Sequence, residues 1–298
     1  MMNRPAIAID GKNISEKVCA EVSARVQSLS SAYNRPPTLA VVLVGDNPAS
    51  QVYVRSKSKK AKACGIGVVD LVLGAVSNQE LQTALRALSQ DELIDGILLQ
   101  LPLPKGLDEF EALKCISPEK DADGLHPFNQ GLLMRGSEGL RPCTPFGAMR
   151  LIDEARETLG KSRDLSGLHA VVLGRSILVG KAMALMLLER NCTVTICHSK
   201  TNNLKDECKR ADILVAAIGK PEFVTKEFIK EGSIVIDVGI NRLADGRIVG
   251  DVEYEHARAL SAAVTPVPGG VGPMTIAMLL SNTVDAFERR MNKKGLHA

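Results

Sequence analysis

Short apolar runs rich in β-branched residues alternate along this chain with longer segments of helical period, and that rhythm restricts the fold more than any other feature. Thr38 to Val44 reads as a buried strand ended by Gly45, and Pro48 to Cys64 as the helix behind it, stopped by Gly65. Ile66 to Leu73 and Gly96 to Gln100 read as two further strands, separated by a helix from Asn78 to Leu88. The second half repeats the pattern: Ala170 to Leu173, Thr193 to Cys197, Ile213 to Ala217 and Ile234 to Asp237 are strand-like, with helices after the first two. Runs that are apolar without alternation belong to parallel sheets covered on both faces. An α/β protein is therefore expected. Its 298 residues exceed one ordinary core and fit two domains of comparable size. The polar, Gly- and Pro-bearing stretch Arg135 to Pro145 is the expected boundary.

Composition narrows the partners. A net charge of +3, with three Tyr, six Phe and no Trp, gives neither a strong basic field nor a stacking platform, so no nucleic-acid partner is expected. The seven cysteines are odd in number and scattered, without metal-ligand spacing, and the five histidines do not cluster with them. Reduced, buried thiols and no metal are the simplest account. The opening Met1-Met2-Asn3-Arg4-Pro5 leads into an apolar run too soon interrupted for a signal peptide, and no segment has the apolar length to span a bilayer. The cytoplasm is the expected location.

Near the C-terminus stands Thr265-Pro266-Val267-Pro268-Gly269-Gly270-Val271-Gly272-Pro273-Met274-Thr275, followed by an apolar, helix-like run from Ile276 to Phe287. Glycines let backbone N–H groups approach a ligand, prolines hold the loop stiff, and Pro273 suits the first turn of the following helix. A tight turn joining a strand to a helix would use the same residues. In the second half, Ala170 to Leu173 runs into Gly174-Arg175-Ser176-Ile177-Leu178-Val179-Gly180 and a helical stretch. That order places a pyrophosphate at a helix N-terminus, although the spacing is not Gly-x-Gly-x-x-Gly and a plain βα turn has the same form. The next strand ends Cys197-His198-Ser199-Lys200-Thr201 without the carboxylate that an NAD site uses on its ribose. NADP is favoured over NAD, with Arg175 the candidate for the 2′-phosphate and Lys200 a plain surface charge.

The first half carries candidate chemistry. Tyr53 and Lys57 lie four residues apart, hence on one helix face, although Lys59, Lys60 and Lys62 crowd the same helix and a solvated lysine is the ordinary reading. Gln100 ends its strand at the edge where α/β ligands bind, and could equally anchor a loop. Lys120-Asp121-Ala122-Asp123-Gly124 offers two carboxylates at alternate positions; no third acid follows at calcium-loop spacing.

Taken in order, these motifs resemble the bifunctional methylenetetrahydrofolate dehydrogenase/cyclohydrolase family. The likeness runs through Gly45-Asp46, Ala49-Ser50, Tyr53, Lys57 and Gly65-Ile66, then Asp123-Gly124, Pro142-Cys143-Thr144-Pro145, and Gly174-Arg175-Ser176 with Val179-Gly180. It continues through Asp237 to Asn241 and Gly250-Asp251-Val252, and ends with Pro268 to Thr275. It implies an N-terminal α/β catalytic, folate-binding domain over residues 1–143, completed by the terminal helix 275–298. It further implies a Rossmann-like NADP-binding domain over 144–274, with the active-site cleft between the two. The implied activity is oxidation of 5,10-methylenetetrahydrofolate with NADP and hydrolysis of the methenyl product to 10-formyltetrahydrofolate, in a homodimer acting on tetrahydrofolate derivatives. Lys57, assisted by a hydrogen bond from Gln100, is the expected catalytic group; Tyr53 packs on the folate ring and Asp123 holds the pterin's amino and N–H edge. Gly174, Arg175, Ser176, Val179, Gly180, Ser199 and Ile240 are the expected cofactor contacts, and Pro268, Gly269 and Gly270 the substrate loop. The chain departs from the family at Ile177, where Asn is usual, and at Ala182, where Pro is usual. Two rivals stand beside this reading: a shikimate-type NADP oxidoreductase, and an NADP-binding sensor without chemistry.

Overall fold

The computed structural model describes residues 6–295. In chain order its elements begin with β1 (Ile7–Ala8), α1 (Gly11–Tyr33), β2 (Thr38–Val44), α2 (Pro48–Ala63), β3 (Gly67–Leu73), α3 (Asn78–Gln90) and β4 (Gly96–Leu99). Helices α4 (Glu109–Leu113), α5 (Pro127–Met134) and α6 (Cys143–Thr158) precede β5 (His169–Leu173), α7 (Gly180–Glu189), β6 (Thr193–Cys197), α8 (Leu204–Lys209), β7 (Ile213–Ala216) and β8 (Ile234–Asp237). The chain finishes with β9 (Asn241–Arg242), β10 (Ile248–Val249), α9 (Tyr254–Leu260), β11 (Ala263–Val264) and α10 (Val271–Gly295). Two compact units result. One holds Lys17–Cys143 with the chain from Ile276 onward, the other the chain up to Glu16 with Thr144–Thr275.

The first unit is built on a three-stranded parallel sheet of order β3-β2-β4. Leu39 to Val44 of β2 are buried without alternation, as a central parallel strand between two layers requires. Leu81 and Leu85 of α3 pack on Ala40, Val42, Ile97 and Leu99, each such leucine contributing about 2 kcal/mol of apolar burial. Helix α2 takes the chain from β2 to β3, and α3 returns it to the opposite side of β2. That reversal of strand order leaves a crevice beyond the carboxyl ends of β2 and β4. Helix α10 is tied to the start of this sheet by Arg290, whose Nη1 donates to Asp95 Oδ1 at 2.7 Å, while Arg35 grips the other oxygen at 2.7 Å. Asp95 is fully buried, so its charge depends on the two arginines, and removing both would strand it at a cost of about 3–5 kcal/mol.

The second unit carries a six-stranded sheet of order β1-β11-β8-β7-β5-β6, parallel at every pairing. Val171, Leu173, Leu214, Ala216, Val235 and Val264 fill one face, covered by Cys208, Phe228 and Ala257. Strand β5 lies between β6 and β7, so the chain reverses direction across the sheet there and opens a crevice at the end of β5.

Two expectations need correction. Residues 1–143 do not form one unit, because Ile7 and Ala8 pair in parallel with Ala263 and Val264 and extend the six-stranded sheet; a two-residue strand carries too little pattern to be seen. The last helix starts at Val271, ahead of the expected 275–298 segment, with Pro273 in its first turn as the sequence suggests. The end of the expected helical segment 275–298 and the residues Met1 to Pro5 lie outside the described residues.

Candidate active site

In the three-stranded unit, Asn47 caps α2 by accepting the Ala49 and Ser50 N–H groups at 3.0 and 3.1 Å, and Pro48 occupies its first turn. The cap fixes the start of the helix that carries both Tyr53 and Lys57. Lys57 is buried, whereas Lys59 and Lys62 are exposed. The crowding of cations on α2 is therefore a surface feature that leaves Lys57 out: Lys59 and Lys62 line a separate 580 Å³ hollow with Arg55 and Asp70. Lys57 Nζ donates to Gln100 Oε1 at 2.9 Å, and Gln100 Nε2 donates to its neighbour's carbonyl, Leu101 O, at 2.6 Å. The hydrogen bond thus runs from the lysine to the amide, the reverse of the direction expected from sequence, and the Leu101 carbonyl fixes which way the amide faces. Tyr53, half exposed one turn earlier, presents its ring to solvent on the same side.

The two carboxylates of the 120–124 loop have different fates. Asp121 is consumed by its own loop: its oxygens accept the Leu125 N–H at 3.1 Å, the His126 N–H at 2.8 Å and Asn129 Nδ2 at 2.9 Å. Asp123 keeps part of its surface open. Burial pushes its carboxyl up to about 6, against the pull of the Lys57 charge and a hydrogen bond from the Cys143 thiol, while Asp121 adds to the rise. Lys57, Gln100 and Asp123 form one constellation, joined by Cys143, which sequence reading singled out only as part of a motif. A cavity of about 990 Å³ lies beyond the carboxyl ends of the same sheet, lined by Gly45 to Asn47, Gly74 to Asn78 and Pro102 to Leu107, with Gln51 of α2 at its wall.

In the six-stranded unit, Gly174 has φ +133° and a Cβ there would fall 2.2 Å from Ala217 O; a Cβ on Gly180 would fall 2.3 Å from Gly174 O. Only glycine closes this turn. Ser176 Oγ accepts the Val179 and Gly180 N–H groups at 3.2 and 3.4 Å, bracing the turn that leads into α7. The Gly174 N–H donates to Cys197 O at 2.9 Å, which sets the turn beside the loop after β6. There the His198 N–H donates to Thr201 Oγ1 at 2.9 Å, leaving Ser199 and Lys200 exposed next to the exposed Arg175. Ile177 and Ile240 are exposed apolar side chains, and Ala182 is buried. Asp237 accepts the Gly239, Asp251 and Val252 N–H groups, and Asp251 in turn accepts those of Ile218, Gly219 and Lys220. The pair braces the loops around the crevice, a role for Asp251 that its place in a motif did not reveal. In the Pro268 to Gly270 loop, Lys12 N donates to Gly269 O at 3.1 Å and a Cβ on Gly11 would fall 1.8 Å from Gly270 O. The loop is held by the start of α1 through a backbone contact that only glycine permits.

Comparison with known proteins gives matches over nearly the whole chain. The family "Tetrahydrofolate dehydrogenase/cyclohydrolase, catalytic domain" matches residues 9–123, and its "NAD(P)-binding domain" matches residues 142–291. The chain is 52% identical over 289 residues to the bifunctional protein FolD of Campylobacter curvus, covering 97% of this chain and 98% of that one. With the FolD of Anaeromyxobacter dehalogenans it shares 55% identity over 283 residues, 94% of this chain and 98% of the relative. Among solved structures, bifunctional FolD of Campylobacter jejuni superposes with a TM-score of 0.91 at 45% identity, covering 96% and 99% of the two chains. The Trypanosoma brucei methylenetetrahydrofolate dehydrogenase-cyclohydrolase, complexed with NADP and an inhibitor, superposes at 0.89 with 38% identity, covering 97% and 99%. Among the described residues, no helix is long and apolar enough to cross a membrane.

Proposed function

The chain belongs to the tetrahydrofolate dehydrogenase/cyclohydrolase family, and from that premise we propose that Lys57, Gln100, Tyr53 and Asp123 carry its folate chemistry. The protein is a bifunctional enzyme of one-carbon metabolism. It oxidises 5,10-methylenetetrahydrofolate to the 5,10-methenyl compound with NADP and hydrolyses that product to 10-formyltetrahydrofolate. A shikimate-type oxidoreductase is not favoured, because relatives matched over almost their full length are bifunctional FolD proteins. The observation that carries the site assignment is the buried Lys57 bonded to Gln100 at 2.9 Å, with Asp123 close enough to feel its charge. A sensor that had lost its chemistry would have no reason to keep that arrangement.

NADP, when bound, supplies the hydride acceptor; the protein's part in oxidation is to orient the folate methylene carbon. Asp123 accepts the pterin's amino and ring N–H groups, and Tyr53 covers the ring face. In hydrolysis a water oxygen bonds to the methenyl carbon and loses one proton; the bond from that carbon to N5 then breaks as N5 gains a proton, and the remaining O–H proton leaves as the formyl C=O forms, so one proton is released overall. Lys57 holds and moves those protons, with its Nζ fixed by Gln100. The methenyl compound absorbs light distinctly, so turnover with NADP should show it rise and then fall. No NADPH from the methylene substrate would end this reading.

The second unit fits NADP. Gly174 and Gly180 give a turn into which no side chain intrudes, Val179 and Gly180 open α7, Ser176 holds that opening, and Ser199 adds a hydroxyl in place of a ribose-binding acid. Ile240, exposed beside Gly272 in the first turn of α10, offers an apolar surface for a ring. Pro268, Gly269 and Gly270 serve as the substrate loop. Arg175 is the 2′-phosphate ligand: Arg175→Ala should weaken NADP while hardly affecting NAD, the loss of one charge-assisted contact being about 1.5–3 kcal/mol, on the order of tenfold or more in preference. Equal losses in titrations of both cofactors would move Arg175 to the shared pyrophosphate.

The enzyme works as a homodimer. Strand β3 is the outer strand of its sheet, and Val69 and Val72 are 42% and 63% exposed along it, an edge that a second copy can cover about a two-fold axis. Val72→Lys should reduce the sedimenting mass to one chain's; an unchanged mass would place any interface elsewhere. The cytoplasm suits a chain whose seven cysteines form no disulfide.

A further inference from the structure

We propose that Cys143 and Asn282 are positioning residues for Asp123, the amide clamping the two chain segments that bring the thiol to the carboxylate. The inference rests on the assignment of Asp123 to folate and adds how this chain orients that acid. Backbone packs directly on backbone here. The Cys143 N–H donates to Asp123 O at 3.3 Å, and a Cβ on Gly124, where φ is +69°, would fall 2.3 Å from Arg141 C. Asn282 of α10 is buried, and its Nδ2 has two protons for two carbonyls, Ala122 O at 2.9 Å and Arg141 O at 2.8 Å. Those carbonyls flank the contact: Ala122 directly precedes Asp123, and Arg141 stands two residues before Cys143. The same Nδ2 lies 3.5 Å from Cys143 Sγ, in contact with the sulfur.

The thiol has one proton and two acceptors. Ala122 O lies at 3.3 Å from Sγ, and the Asp123 carboxylate also accepts from it. A charged acceptor forms the stronger bond, so the proton points to Asp123 whenever that group is ionised and to Ala122 when it is not. Burial, then the Asp123 charge, push the Cys143 thiol far up, so it remains S–H and acts only as a donor. Three groups and burial act on the Asp123 charge: Lys57 on α2 and the Cys143 thiol favour it, while burial and Asp121 of its own loop oppose it. Removing the thiol takes away one of two supports. The ionised acid, the form that can accept two N–H groups from the pterin edge, then becomes scarcer near neutral pH.

The test is kcat/KM for methenyltetrahydrofolate hydrolysis against pH in wild type, Cys143→Ala, Cys143→Ser and Asp123→Asn. The Ala variant should lose about fivefold on the acid side of the profile and recover toward alkaline pH, as expected for one hydrogen bond to a charged group, and Ser should restore the wild-type profile through its O–H. NADP titration and melting curves check that each variant is folded. If Asp123→Asn impairs folate use but Cys143→Ala leaves the acid limb in place, the positioning role is wrong and the anchor stands. Equal losses at every pH in Ala and Ser would make Cys143 a packing residue and also overturn the proposal. A harmless Asp123→Asn would remove the anchor itself.

Discussion

Lys57→Met should reduce methenyltetrahydrofolate hydrolysis by about 10²–10⁴-fold, the usual contribution of one positioned acid–base group, while folate and NADP still bind. Methionine keeps the unbranched stem of lysine, so the buried end of the helix face stays filled and only the nitrogen is lost. The expectation follows from contrast within one helix. Lys59 and Lys62 are exposed and line a hollow shared with Asp70, whereas Lys57 turns inward and spends a proton on Gln100. Substituting Lys59 or Lys62 removes an exposed charge and should leave hydrolysis near normal. The check is the decay of methenyl absorbance, with separate equilibrium titrations of folate and NADP. Hydrolysis by Lys57→Met at the wild-type rate would reduce Lys57 to a structural cation and break the mechanism at its first step.

Much of this was legible in the chain because long parallel strands leave an unambiguous trace. Leu39 to Val44 are apolar at every position since both faces are covered, and the seven-residue strand from Thr38 is visible at its full length. The turn after β5 was legible for a similar reason: Gly174 and Gly180 stand where a side chain would strike backbone. Short elements left no such trace. Strand β1 has two residues, and nothing local marks Ile7 and Ala8 as partners of Ala263 and Val264, more than two hundred and fifty positions away. Helix α1 does carry a trace, since Ile14, Val18, Val22 and Val26 recur at helical spacing and are buried. Of the site, single residues on regular elements could be named, but their couplings could not. That Lys57 donates to Gln100, that Asp121 is used up by its loop, and that Asn282 clamps the Asp123 segment depend on rotamers and long-range packing. One signal was available: Ser281-Asn282-Thr283 follows directly on the apolar run Ile276 to Leu280, and an amide buried there must find partners.

Asp123→Asn should raise the folate KM by about 10–100-fold in both reactions and leave NADP binding without folate near normal, because a carboxylate accepting two pterin N–H groups is replaced by an amide with one carbonyl. Asp123→Ala should do at least as much. The pH dependence gives the assignment a second handle. Burial raises the Asp123 carboxyl from 3.8 to about 6, so folate use should weaken as pH falls through that value and the carboxylate is lost. Stability must run the other way. A carboxyl raised in the folded state favours folding below its unfolded value, and that contribution is lost as pH rises through about 6. Asparagine never ionises. Asp123→Asn should therefore melt higher than wild type at slightly alkaline pH, with the gain shrinking as the pH approaches the ordinary carboxylate value. An acid that costs stability when charged, yet is held charged by Lys57 and Cys143, is under strain that only a ligand relieves. Folate should then stabilise wild type more than Asp123→Asn in thermal melts, with NADP stabilising both alike. The opposite pattern, with NADP protection lost and folate protection kept, would assign Asp123 to the cofactor and undo the pocket.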